Sequence, residues 1–162
     1  MIVLVPGVPA LLPSYASLDD PVADLRAACA AAVATLGPQV RVIAASAPAE
    51  KVARHLLATA GLEVVDDASD ILVVGNGSAM RTEKAPGHFD ERAEGFDDAL
   101  RAALVAPDPA ALASLDPALA DALWADVAGI GAAAGLLTSE LTAEVGYDAA
   151  PYGVQYWVIR WL

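Results

Sequence analysis

Four short strand-like runs, Met1–Val5, Val40–Ala45, Leu62–Val65 and Ile71–Val74, apolar apart from Arg41 and Glu63, constrain this chain more than any other feature. The first lacks the every-other-residue alternation of a half-exposed strand and so reads as buried on both faces; the second and fourth read the same way. Between the first two runs, Val22, Leu25, Cys29, Val33 and Leu36 recur at spacings of three and four, the stripe of one helix face. Val52 and Leu56 set the inner face of another helix between the second and third. The order β-α-β-α-β-β predicts an α/β fold in three layers: a mostly parallel central sheet, right-handed crossovers, and helices on both faces.

Local signals mark where these elements begin and end. Asp20 is a good N-cap with Pro21 at the first helical position, and Gly37-Pro38 stops that helix. A second helix starts near Ser46–Pro48 and ends at Ala60-Gly61. A third is predicted over Ala93–Leu104. Asp108-Pro109 and Asp116-Pro117 both look like helix starts, and Leu119, Leu123, Trp124 and Val127 give the last of these an inner face. Gly129, Gly131 and Gly135 weaken helix propensity over Ile130–Leu137. Leu141–Val145 and Val154–Leu162 read as extra C-terminal strands around a turn at Tyr147–Gly153. The last run, VQYWVIRWL, is apolar on both faces apart from Gln155 and Arg160. It suits an inner strand, or else an edge or subunit interface.

Composition removes several function classes. At 162 residues the chain is expected to form a single domain spanning 1–162. Its formal net charge of −12 argues against nucleic acid and anionic membrane surfaces as partners. The first 18 residues carry no charge, but they have no basic start and are broken by Pro6, Pro9 and Pro13. They read as a strand and a Pro-rich loop, not a leader or membrane span, and a cytoplasmic location is expected. One cysteine excludes an intrachain disulfide, and one cysteine with two histidines cannot build a four-ligand zinc site. Cys29 sits on the apolar helix stripe and reads as a small buried hydrophobe; His55 lies off the Val52/Leu56 row and reads as a surface or boundary residue.

The chemistry-bearing residues concentrate after the fourth run. Gly75-Asn76-Gly77-Ser78 and the loop to Arg92 lie beyond a strand's carboxyl end, where open α/β sheets bind ligands. The glycines complete neither a phosphate loop nor a nucleophile elbow, and suit a tight turn with ligand contact open to Asn76 and Ser78. Arg81 and Lys84 are two of nine basic residues. They could hold a carboxylate or phosphate, or pair with Glu83, Asp90 or Glu91. His88, Asp90 and Glu91 form the best local metal-ligand set, suited to iron or manganese.

The block Gly75–Leu104, GNGSAMRTEKAPGHFDERAEGFDDALRAAL, resembles a segment of the class III extradiol ring-cleavage dioxygenases, in their catalytic B-type subunit, and of the related Memo-type proteins. Gly75 through Ala79 stand at the family's Gly-Asp-x-Ser-His-like motif, and Ala85 through Arg92 at its Ala-Pro-Gly-Tyr-Asp-x-Arg loop. Gly95-Phe96-Asp97 stands at its helix opening. Val5-Pro6-Gly7-Val8-Pro9-Ala10-Leu11-Leu12 is similar to the family's leading Pro-His-x-Pro segment, and Tyr147–Gly153 to the ending of bacterial members. The resemblance implies a non-haem Fe(II) site of two histidines and a glutamate, with a further histidine as base. Here Gly7 stands for the first ligand histidine, only Ser46 is available for the second, and Ala79 stands for the base. The chain is also shorter than typical members, which implies that a central portion is absent.

The resulting expectation is a dioxygenase-like domain without the Fe(II) site. It would act by binding a small anionic or aromatic molecule or a partner through Asn76, Ser78, Arg81, Lys84 and His88, or as a homo-oligomer. No cofactor is expected; Fe(II) would be present only if the family activity is retained. The alternative is an active, non-haem-iron extradiol-type dioxygenase or another small-molecule enzyme using the 75–92 loop. In one form it has a metal held by His88, Asp90 and Glu91; in another it is a metal-free hydrolase or lyase using Ser78 with Arg81; Ser78 and His88 are the catalytic candidates. In a third, a second chain supplies the missing histidines.

Overall fold

A computed structural model describes residues 1–15 and 19–162. The last two residues of the predicted Pro-rich loop, Ala16 and Ser17, fall outside the described residues. The strands are β1 (Ile2–Val5), β2 (Gln39–Ile43), β3 (Glu63–Val64), β4 (Asp70–Val74), β5 (Ala143–Ala149) and β6 (Tyr156–Trp161). They form one six-stranded sheet in the order β3-β2-β4-β1-β6-β5. The first four of these neighbours pair in parallel; β6 is antiparallel to both β1 and β5.

The pleat divides the apolar side chains between two cores. Val3, Val5, Leu72, Val74, Tyr156 and Val158 face one way and pack with α1 (Ala23–Val33) and α2 (Ala47–Thr59) through Leu25, Cys29, Val52 and Leu57. Ile2, Leu4, Ile71, Val73, Trp157, Ile159 and Trp161 face the other way. They pack with α3 (Arg92–Val105), α4 (Pro109–Ala113), α5 (Pro117–Ala122) and α6 (Ala128–Ala133) through Leu100, Leu104, Leu112, Ala120 and Ile130. The chain is therefore the three-layer α/β fold expected, with the extra strands at its C-terminal end.

Several boundaries move for local reasons. Asp20 accepts the Val22 N–H, but α1 begins at Ala23, two residues later than the Asp-Pro signal predicts. Pro9–Leu11 and Pro13–Tyr15 form single 3₁₀ turns inside the Pro-rich loop. β2 is less buried than its composition implies. Only Val40 is fully covered, because the neighbour on that side is the two-residue β3. α5 stops at Ala122 and the chain turns through Trp124 at φ 55°, so Trp124 points into solvent at 58% exposure and is not on an inner helix face. β5 runs from Ala143 to Ala149, taking in half of the predicted turn, and a bulge at Gly146 breaks its register with β6. β6 lies between β1 and β5, so the apolar C-terminal run is an inner strand and not an edge.

Candidate functional site

The parallel register aligns Val5 with Val74 and Ile43 with Val73, so β1, β2 and β4 end on one rim. The chain leaves β1 toward α1 in the first core and leaves β4 toward α3 in the second. Adjacent strands whose exits go to opposite faces create a crevice at their carboxyl ends, the usual ligand position in such sheets. Gly7, Ser46 and Asn76 follow these three strands.

The Asp126 carboxylate lies at this rim, over the end of β1. Its backbone N–H and C=O exchange hydrogen bonds with Asn76 at 3.1 and 2.9 Å, which ties the segment after α5 to the end of β4. A Cβ on Gly75 would stand 2.7 Å from the Asp126 carbonyl, so this approach requires glycine. A Cβ on Gly7 would stand 3.4 Å from Asp126 Oδ2, which places the carboxylate over the end of β1. The side chain accepts no hydrogen bond among the described residues, and burial pushes its pKa above the ordinary aspartate value. Beside it opens a cleft of about 380 Å³ whose walls include Ser46, Leu112, Leu115, Pro117 and Asp121. α6 forms the floor. A Cβ on Gly129 would fall 2.3 Å from the Val74 carbonyl oxygen, so the first turn of that helix rests directly on the strand end. A larger hollow of about 630 Å³ lies between the end of α3 and the start of β5, at the opposite rim, where Ala143 aligns with Trp161 and Ile2. It lies at the strands' amino ends and carries no comparable polar group beyond Asp108, whose carboxylate already caps α4.

The loop after β4 is a packed plug over the same rim. Gly77 N–H donates to Gln155, Ala79 N–H to Leu123, Arg81 N–H to Gly153, and Gln155 N–H to Ser78, which pins residues 77–81 between two later segments. Ser78 has no exposed surface. Its hydroxyl donates to Asp97 Oδ2 at 2.7 Å and its N–H to Asp97 Oδ1 at 2.8 Å. Asp97 is 1% exposed and also receives Arg81 Nη1 at 3.4 Å; burial outweighs these donors and pushes its pKa up. Arg81 completes its pairing on Glu94 at 3.2 Å. Its partners are therefore on α3, one turn apart, and not the sequence neighbours Glu83, Asp90 or Glu91.

The remaining loop residues spread outward. Asn76 is half-buried, and its Nδ2 donates to the Gly77 carbonyl. Lys84 is exposed and makes no hydrogen bond or ion pair among the described residues. His88 is exposed at φ 65°, with Nδ1 2.6 Å from the Glu83 carbonyl oxygen. Asp90 binds Arg92 at 2.7 Å, and that hydrogen bond holds its carboxyl down at about 2. Glu91 is exposed at the start of α3. Among the described residues no three of His, Cys, Asp and Glu gather as a metal site. The rim supplies the Asp126 carboxylate and the Ser46 hydroxyl, while His55 sits on α2 beside Leu12 and Arg26. This donor set does not fit a ferrous ion held by two imidazoles and a carboxylate.

Asp126 and its cleft were not singled out from the sequence. The one available signal was an acidic residue within the otherwise apolar stretch Leu123–Ile130. No family model matches this chain, and no curated protein matches it significantly.

Proposed function

We propose that the chain is an extradiol-dioxygenase-like α/β domain that has lost its Fe(II) site and works by binding a small molecule at the carboxyl rim of the sheet. The observation that carries this reading is the chemistry of that rim. Gly7, Ser46 and Ala79 stand where the resemblance calls for imidazole, and the carboxylates of Asp126 and Asp121 border a mainly apolar cleft. Glycine and alanine neither ligate iron nor carry a proton. A cleft of this volume, largely apolar with a few polar groups, has the composition of small-molecule sites. Ligand recognition is assigned to the cleft beside Asp126, with Asn76 acting through its backbone pairing to that residue. Ser78 and Arg81 are assigned to supporting the plug through Asp97. The test is metal analysis of the purified protein after incubation with Fe(II) under anaerobic conditions. The expected result is far less than one iron per chain and no oxygen uptake on a catechol; one tightly held iron per chain with oxygen-consuming cleavage would overturn the proposal. His88→Ala is expected to leave ligand binding unchanged.

A further inference from the structure

We infer that the cleft at the carboxyl rim selects a small organic cation, an amine whose ammonium pairs with Asp126 and whose apolar body lies against Leu112, Leu115 and Pro117. The inference deepens the proposed function and rests on it, since it uses the same cleft. Three observations carry it. First, the Asp126 carboxylate is half-buried and accepts no hydrogen bond among the described residues, although its own backbone is fully paired with Asn76. A partly desolvated carboxylate without a protein donor is available to a donor arriving from outside. Second, no Lys, Arg or His lines the cleft, whereas a second carboxylate, Asp121, does. Both charged groups there are negative, in a chain of net charge −12, so an anionic ligand would meet repulsion and a cation attraction. This reverses the sign expected from Arg81 and Lys84, whose side chains are not among those lining the cleft. Third, no three of His, Cys, Asp and Glu gather there among the described residues to hold a metal ion. Two carboxylates and the Ser46 hydroxyl amid alanine, leucine and proline match an ammonium on an apolar body instead.

The experiment uses the isotopically labelled full chain, titrated with benzylamine, benzyl alcohol and benzoate while backbone amide resonances are followed. Benzylamine is expected to shift the amides of Ala45, Ser46, Asp126, Val127 and Ala128 and to saturate in the millimolar range. Benzyl alcohol is expected to bind about tenfold more weakly and benzoate not to saturate, the difference being one charge-assisted hydrogen bond. Asp126→Asn is expected to weaken benzylamine about tenfold with the spectrum elsewhere unchanged. A second variant, Leu115→Lys, brings an internal ammonium to the cleft wall and is expected to abolish benzylamine binding. Equal binding of the three probes overturns cation selection while leaving the cleft as a small-molecule site. Unaltered benzylamine affinity in both variants, or no shift at the cleft with any probe, overturns the inference outright. Tight iron with oxygen uptake would instead sink the proposed function.

Discussion

At the scale of single residues, the buried ionisable groups separate structure from recognition. Asp97 is almost completely enclosed but carries three donors from Ser78 and Arg81. Asp97→Ala would leave the Ser78 hydroxyl, its N–H and part of the Arg81 guanidinium without their partner. A loss of about 2–4 kcal/mol in denaturant unfolding is expected, against about 1 kcal/mol for Ser78→Ala, which keeps the backbone bond. Asp126 differs in having the burial without the donors. Its folded-state pKa lies above its unfolded value, so the stability linked to its proton is fully present below the ordinary carboxylate range. That stability is lost as pH rises through the folded value. Asp126→Asn is therefore expected to be more stable than the parent at neutral pH, with the gap closing on acidification; thermal unfolding at stepped pH values checks it. Cys29 is wholly buried, and burial pushes its thiol up to about 12. It should resist a thiol reagent in the native state and react on unfolding, as its place on the apolar helix stripe already indicated.

At the scale of elements, caps and packing faces were legible and irregular joints were not. Ser46, Asp108 and Asp116 each cap the helix predicted to start there, with side-chain oxygens accepting from the first-turn N–H groups. The helix stripe from Val22 to Leu36 is buried throughout. By contrast, the break after α5 depends on the Asn76–Asp126 bridge, a contact between distant segments that no local propensity encodes. α6 is the clearest case. Its glycines lower helix propensity, yet Gly129 is the residue that lets the helix sit on the Val74 carbonyl oxygen. Gly129→Ala, favoured by propensity, is expected to destabilise the fold by about 1–3 kcal/mol because backbone, not a flexible side chain, must give way. The same variant should perturb the cleft amides, visible in a backbone spectrum.

At the scale of the whole molecule, the sheet's order distributes stability. β4, β1 and β6 are flanked by strands on both sides and covered by both cores, whereas β3 has two residues at one edge and β5 is largely exposed at the other. Amide exchange is expected to be slowest in β1, β4 and β6 and fastest in β3, with opening free energies falling toward both edges. The β5 edge carries the Gly146 bulge and the ion pairs Arg101–Asp148 and Arg160–Glu144, features that discourage edge-to-edge pairing. The same order makes the rim a single place, because it brings the ends of three strands that are far apart in sequence within reach of one carboxylate.

Periodicity and capping residues alone determined the α/β class, the parallel strands, the faces of the first two helices and the burial of Cys29, and the residue identities showed no imidazole after the first two strands. These features depend on spacings within a few residues, which a linear chain displays directly. Tertiary structure decided that Ser78 and Arg81 serve Asp97 and that the loop from Gly77 to Arg81 is a plug. It also decided that the open cleft lies beside Asp126. Each of these follows from hydrogen bonds and close backbone approaches between segments distant along the chain, whose geometry exists only once both cores have packed against the sheet.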